Sequence, residues 1–234
     1  MKAISKLLSG TSLALLSFTL SAADIKKGAQ LYDNWPKIKE LKEKLATHQM
    51  YPVTSKKSGL DTWRCKECHG WDYIGKDGRY KSGSHFTGIK GVYDSREKGK
   101  DELIALLKNE KHDFSQYLSQ EDLENLAEFI RSGLLDTTKT TTPSGAINGS
   151  PEEGKKLFSK VCTSCHGADG NDIDFKKDKP FVQGIGWAAK DNPQETLHKI
   201  RWGHPGTYMP STIVDEKLTD QQTIDILSFV TGLE

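Results

Sequence analysis

Four cysteines constrain this 234-residue chain more than any other feature, because they form two pairs of equal spacing and a histidine directly follows each pair. The motifs are Cys65-Lys66-Glu67-Cys68-His69 and Cys162-Thr163-Ser164-Cys165-His166. Disulfide bonds would not require these histidines, and a thioredoxin-like redox pair would need a strand before it and a helix after it. A zinc site joining the pairs would leave the histidines unused, and the separation of 97 positions between Cys65 and Cys162 exceeds the usual spacing.

The spacing C-x-x-C-H is typical of the covalent attachment of c-type haem. Two thiols about one helical turn apart can bond the two vinyl groups of a porphyrin, while the adjacent imidazole reaches the iron from one face. We therefore expect two covalently bound haem c groups, with His69 and His166 as the proximal iron ligands. The thioether bonds are expected at Cys65, Cys68, Cys162 and Cys165.

One pattern of helix-forming segments is repeated around the two motifs. A glycine and two apolar residues at helical spacing precede each motif. These residues are Gly28, Leu31 and Tyr32 in the first copy and Gly154, Leu157 and Phe158 in the second. Each copy continues with an amphipathic segment, at 101–108 or 194–201, and closes with another. Ser119 and Thr219 are predicted to cap the closing helices, since an acid or amide follows each of them three residues later.

The segment 137–150 separates the two copies and has the composition of a linker that is too polar to pack. This predicts one domain at 24–136 and a second at 151–234. The first domain contains about 29 additional residues between its first helix and its motif, an insertion at about 34–62. Part of it, at 37–45, is amphipathic. The insertion either shields a haem edge, forms a docking surface or is a packed excursion of the chain.

The N-terminus has the pattern of a secretory signal peptide. Lys2 and Lys6 precede an apolar stretch at 13–20, and small residues follow at 21–23. We predict that residues 1–23 direct export to the periplasm and are then removed. No later apolar segment reaches the roughly 18 residues that would be needed to span a membrane.

The formal net charge of +1 becomes slightly negative without the signal peptide, so nucleic acid is not an expected partner.

On these motifs and repeats, each half resembles a class I cytochrome c domain, and the chain is similar to the tandem di-haem cytochromes c of bacterial periplasms. The resemblance implies an all-α fold of two such domains, each wrapped round one haem. In that family the first helix of a domain crosses the last, and a loop before the last helix supplies the distal iron ligand. The resemblance also implies electron transfer, with periplasmic or membrane-bound redox proteins as donor and acceptor.

The distal ligand expected in the second half is Met209. It lies in the segment Gly206-Thr207-Tyr208-Met209-Pro210, just before the predicted last helix. This segment resembles the methionine-proline loop of class I cytochromes c. A histidine and a methionine would then hold the second iron.

The first half has no methionine after its motif, and His112 is the favoured distal ligand. His112 follows its proximal histidine by 43 residues, the same separation that Met209 has from its own. Counting back from the last helix aligns the two less well, so His85, Met50 and an open iron position are alternatives. Three other histidines are expected to be surface or hydrogen-bonding residues: His48, His198 and His204.

These ligands predict a bis-histidine haem of lower potential in the first half and a histidine-methionine haem of higher potential in the second. Electrons would then pass from the first haem to the second and on to an acceptor, with no catalytic side chain. Two alternatives compete with this electron carrier. One is a peroxidase-like or thiosulfate-oxidising di-haem enzyme with the first haem as catalytic centre, and the other is a cytochrome subunit of a larger respiratory complex.

Overall fold

The computed structural model describes residues 23–55, 57–141 and 146–234. This described part contains nine α-helices and no β-strand, so the predicted all-α fold is confirmed. None of its helices is long and apolar enough to cross a membrane. The predicted signal peptide lies outside the described residues except for Ala23.

Four of these helices lie in the first half. They are α1 (Ile25–Ile38), α2 (Cys65–His69), α3 (Lys100–Lys108) and α4 (Gln120–Glu128), the last continued by a π-helical turn at Phe129–Gly133. Asp24 caps α1 by accepting a hydrogen bond from the backbone N–H of Lys27. Ser119 and Asp122 form a capping box at the start of α4, which confirms the predicted N-cap.

The second half contains the other five described helices. They are α5 (Pro151–Val161), α6 (Thr163–His166), α7 (Ile185–Asp191), α8 (Pro193–Trp202) and α9 (Asp220–Thr231). Ser150 caps α5, and a proline at the first helical position of α5 and of α8 favours helix initiation because its missing N–H is not needed there. Thr219 and Gln222 form a capping box at the start of α9, so this predicted N-cap is also confirmed.

The first and last helices of each half cross at a glycine. A Cβ atom at Gly28 of α1 would overlap the backbone carbonyl oxygen of Asn125 in α4, and one at Gly154 of α5 would overlap that of Asp225 in α9. Only glycine therefore permits these close approaches. The same hydrogen bond accompanies both crossings: Asp24 N–H to Asn125 Oδ1 (2.7 Å) and Ser150 N–H to Asp225 Oδ1 (2.9 Å).

The insertion between α1 and α2 differs from the sequence expectation in its first part. The amphipathic pattern at 37–45 is not helical, since α1 is kinked at Asn34, contains Pro36 and ends at Ile38. Proline removes a backbone donor and crowds the preceding turn, which ends the regular hydrogen-bonding pattern. The apolar residues of this stretch still have a role, because Leu41 and Leu45 pack against the core of the first half.

Helix α8 joins the two halves. Its Trp202 is buried in the core of the first half, edge-on to Phe129 with ring centroids 5.7 Å apart. His198 is 1% exposed, and its Nε2 donates to the carbonyl of Ala29 (3.2 Å). Its Nδ1 is therefore the acceptor for the hydroxyl of Tyr73 (2.8 Å). His198 is a hydrogen-bonding residue, as predicted, and it lies between the halves.

The segment predicted to be too polar to pack is partly buried, so that expectation is wrong. Thr137 and Thr140 are buried, and the hydroxyl of Thr137 donates to the carbonyl of Asp72 (3.1 Å). The hydroxyl of Thr140 donates to the carbonyl of Thr137 (2.8 Å). A threonine hydroxyl that donates to a backbone carbonyl has its hydrogen bond satisfied within the protein and can be buried at little cost. A polar composition therefore does not prevent this segment from packing.

Candidate haem sites

The first C-x-x-C-H motif forms the short helix α2, which a 3-10 turn at Gly59–Trp63 precedes. The helix ends at Gly70, whose positive φ of 81° favours glycine. The hydroxyl of Tyr32 in α1 donates to the carbonyl of Gly70 (2.7 Å). Helix α1 thereby fixes the position of the C-terminal end of the motif.

A largely apolar cavity lies beside α2. Both cysteines and the histidine of the motif line it, together with Tyr32. Much of the remaining lining is aliphatic: Ile89, Val92, Leu103, Leu106, Leu107, Leu126 and Ile130. A flat apolar group that carries reactive substituents for the two thiols fits this combination of side chains.

The proximal histidine of the first motif is held in one tautomer. Nδ1 of His69 lies 2.6 Å from the carbonyl oxygen of Lys90, so it donates its proton there and Nε2 is free to bind a metal. Burial lowers the pKa of His69 to about 4. The ring is therefore neutral at pH 7, which is the form that coordinates metal ions.

His112 lies opposite His69 in the first site. It lines the same cavity, and the two imidazole centroids are 6.3 Å apart with ring planes 26° from parallel. Two imidazole nitrogens that each bind one metal ion at about 2 Å from opposite sides put the ring centroids roughly 6 Å apart. The observed separation therefore fits a shared metal ion.

The two alternative distal ligands lie differently. His85 is outside the cavity lining; its ring stacks on Tyr80 with centroids 4.9 Å apart, and its Nδ1 is 3.6 Å from Oε2 of Glu67. Met50 is one of the lining residues, but it is 47% exposed. Neither is paired with the His69 ring at the separation that His112 has.

The second motif follows α5 and continues into α6, which ends at Gly167 with a positive φ of 76°. His166 is 8% exposed, and burial lowers its pKa. Its Nδ1 is buried without a hydrogen-bond partner among the described residues. The ring of Phe175 lies 6.5 Å away, centroid to centroid. Cys165 is exposed, in contrast to the cysteines of the first motif.

Met209 lies half-buried on the loop between α8 and α9. Its backbone N–H donates to the hydroxyl of Thr207 (3.2 Å). The loop is anchored to the end of α8 just beyond this point, where the hydroxyls of Ser211 and Thr212 donate to the carbonyls of Arg201 and Ile200. Met209 thus precedes the last helix of its half, as His112 precedes α4.

The family model for cytochrome c matches residues 151–234. This half of the chain is a cytochrome c domain. It contains the second motif, Met209 and the α5–α9 crossing, and such a domain carries covalently bound haem c and transfers electrons. No curated protein and no solved structure matches the chain significantly.

The thiols of the cytochrome c domain and of the first half fit haem better than zinc. The four cysteines are free, and burial raises the pKa of Cys65, Cys68 and Cys162 to about 12. Zinc would require thiolates. Within the described residues, no group of three or more histidine, cysteine or carboxylate side chains is arranged to hold a metal ion.

Sequence reasoning missed one buried acid beside the first motif. Glu67 occupies a variable position of the motif and is fully buried. Lys66 and Lys57 pair with its carboxylate, the latter at 2.7 Å, and together with His85 they hold its pKa far below the usual range despite burial. No sequence signal marks Glu67, because its partner Lys57 comes from the insertion.

Proposed function

We propose that this protein is a periplasmic di-haem cytochrome c that transfers electrons between redox partners through a bis-histidine haem and a histidine-methionine haem. The observation that carries the proposal is the pair His69 and His112, whose centroids are 6.3 Å apart across an apolar cavity beside a C-x-x-C-H motif. These residues would supply two iron ligands and two thiols for a haem at one site.

A second haem-carrying domain in the first half is supported by the repeated helix crossing. Gly28 meets the backbone of Asn125 as Gly154 meets that of Asp225, and the second of these pairs belongs to the cytochrome c domain. A capping box also starts the last helix of both halves, at Ser119 and at Thr219. These shared features support the same framework for holding a haem in the first half.

The protein's residues set the order of the two potentials. When bound, each haem supplies an iron that cycles between Fe(II) and Fe(III). Two imidazoles, from His69 and His112, favour the oxidised state more than the pair His166 and Met209 does, because a thioether donates less charge to the iron. We therefore propose that electrons enter at the first site and leave from the second.

The chain's own groups keep the ligands fixed while the charge changes. The carbonyl of Lys90 orients His69, and the aliphatic lining of the first cavity excludes water. A dry and preorganised site changes little between oxidation states, which favours rapid electron transfer. The signal-peptide pattern at 1–23 supports a periplasmic location, with periplasmic or membrane-bound redox proteins as partners.

A reductive titration of the holoprotein, followed by optical and paramagnetic resonance spectra, tests this proposal. We expect two low-spin six-coordinate haems, with the bis-histidine haem reduced at the lower potential. Peroxide and thiosulfate should leave both spectra unchanged, and carbon monoxide should bind only slowly, because an iron ligand must leave first. Turnover of peroxide or thiosulfate at the first haem would instead make the protein an enzyme, and a high-spin first haem would exclude His112 as its ligand.

A further inference from the structure

The insertion before the first motif contacts the loop that carries His112. His48 is 6% exposed and lines the first cavity with Trp63, which directly follows the insertion. Its backbone N–H donates to the hydroxyl of Thr62 (2.9 Å). The indole N–H of Trp63 donates in turn to the carbonyl of Ala46 (2.8 Å). These bonds fold the stretch 46–50 back onto the residues that lead into α2.

The hydrogen bonds of the His48 ring fix its tautomer. The backbone N–H of Met50 donates to Nδ1 (3.2 Å), so the ring proton is on Nε2. Nε2 then donates to the backbone carbonyl of His112, at 3.4 Å. The neighbouring Gln49 donates from its side-chain amide to the carbonyl of Glu110. Two successive residues of the insertion thus bind backbone carbonyls of the loop that carries the candidate distal ligand.

Aromatic packing connects the same two segments. The ring of His48 is edge-on to Trp63, with centroids 4.4 Å apart, and lies 6.3 Å from the ring of Phe114. Phe114 in turn lies 6.0 Å from the ring of His112. Trp63 therefore packs against one edge of His48. His48 in turn contacts the loop through its ring and through a hydrogen bond.

The loop has hydrogen bonds of its own, and the insertion adds to them. The carbonyl of Asn109 accepts from the backbone N–H groups of His112 and Asp113, and the side-chain oxygen of Asn109 accepts from those of Lys111 and His112. These bonds hold N–H groups of the turn. The insertion binds two of its carbonyls, those of Glu110 and His112. The bonds from the insertion therefore fix the turn to the rest of the first half.

We propose that residues 46–50 form a clamp on the His112 loop, with His48 as a positioning residue that keeps the distal imidazole on the first iron. This inference rests on the proposed function, since it takes His112 as the distal ligand. The clamp assigns a role to the insertion: it closes the first site to external ligands. In the described residues of the second half, α5 leads directly into its motif and no comparable segment precedes it.

Carbon monoxide binding to the fully reduced holoprotein tests the clamp, because the distal ligand must leave before the gas can bind. In His48→Phe the ring packing is kept, but both hydrogen bonds of the ring are lost. We expect the first haem of this variant to take up carbon monoxide roughly tenfold faster than wild type or more. His48→Gln retains an amide donor and should return the rate toward wild type.

Two further variants complete the test. Gln49→Ala removes the second bond to the loop and should accelerate uptake by a smaller factor. Val53→Ala serves as the control, since Val53 is in the same insertion and fully exposed, and its uptake rate should equal that of wild type. Haem content and the low-spin spectrum of the oxidised protein establish that each variant is folded.

The outcomes separate the two proposals. If wild-type protein binds carbon monoxide at the first haem at once and has a high-spin spectrum, the ligand assignment of the proposed function is wrong. If wild type is low-spin and binds carbon monoxide slowly while His48→Phe binds it equally slowly, the ligands stand and the clamp is wrong. If His48→Gln is as fast as His48→Phe, hydrogen bonding by residue 48 does not position the loop.

Discussion

The two halves of the chain surround their C-x-x-C-H motifs differently, although a glycine-centred helix crossing underlies both. In the first half, insertion residues wall the cavity and contact the loop of His112. In the second half, Cys165 is exposed, and the loop of Met209 carries the fully exposed Tyr208. If both motifs bind haem as proposed, the helical framework would determine where a haem is attached, and the segments around it would determine how accessible the iron is.

The half that matches the cytochrome c family also differs from the first half in what precedes its motif. The residues before its motif form one uninterrupted helix, whereas residues 39–64 separate α1 from the first motif. Residues of the insertion line the first cavity, and α1 and α4 still pack against each other. The two halves thus share a helix crossing although the segments between first helix and motif differ in length.

The largest expected effect comes from removing the attachment thiols of one half at a time. In Cys65→Ala/Cys68→Ala, haem attachment at the first site should be lost while the second haem remains. The converse variant, Cys162→Ala/Cys165→Ala, should retain only the first haem. Covalently bound haem per polypeptide, measured after denaturation, should fall from two to one in each case. An unchanged value in either variant would mean that the replaced cysteines do not attach a haem.

Replacing Met209, the proposed iron ligand of the second half, should bring the reduction potentials of the two haems closer together. In Met209→His, a second imidazole should lower the potential of the second haem by on the order of 0.1 V or more. Potentiometric titration should then show a smaller difference between the two midpoints. An unchanged second midpoint would mean that Met209 is not a ligand. Tyr208→Ala is the matched control, since Tyr208 is adjacent and fully exposed.

The glycine crossings should be equally intolerant of a side chain. Gly28→Ala and Gly154→Ala each bring a Cβ into overlap with a backbone carbonyl, and we expect losses of about 3 kcal/mol or more in the free energy of unfolding. Chemical denaturation of the holoprotein measures these losses. Gly99→Ala is the control because its Cβ would meet open space. A marked difference between the first two variants would show that the halves do not share one framework.

The smallest effect is expected at the contact between the halves. His198→Leu leaves the Tyr73 hydroxyl and the Ala29 carbonyl without their partner, at a cost of about 1–3 kcal/mol. Because His198 joins the halves, thermal unfolding monitored at each haem should shift for both. A shift confined to the second haem would mean that the halves unfold independently.

Local patterns made much of the fold predictable from the sequence. The glycine and apolar spacing marked α1 and α5, and the capping residues Ser119 and Thr219 marked the starts of α4 and α9. These signals depend only on residues within one turn of each other. The motif spacing likewise indicated the attachment site without knowledge of tertiary contacts.

Features that depend on distant contacts were not predictable. The amphipathic spacing at 37–45 indicated a helix face, but Asn34 and Pro36 end the helix at Ile38. The polar composition at 137–150 gave no sign that Thr137 reaches a carbonyl at Asp72. The roles of His48 and Glu67 were hidden for the same reason, since their partners are separated from them in sequence or lie in the insertion.

Intact-mass spectrometry of the mature polypeptide, made in a host that can attach haem to such motifs, tests the central claim most directly. We predict the mass of the polypeptide without its signal peptide plus that of two haems, and tryptic peptides that each carry one porphyrin at 65–69 and at 162–166. A mass with one haem, borne only by the second peptide, would contradict the account of the first half.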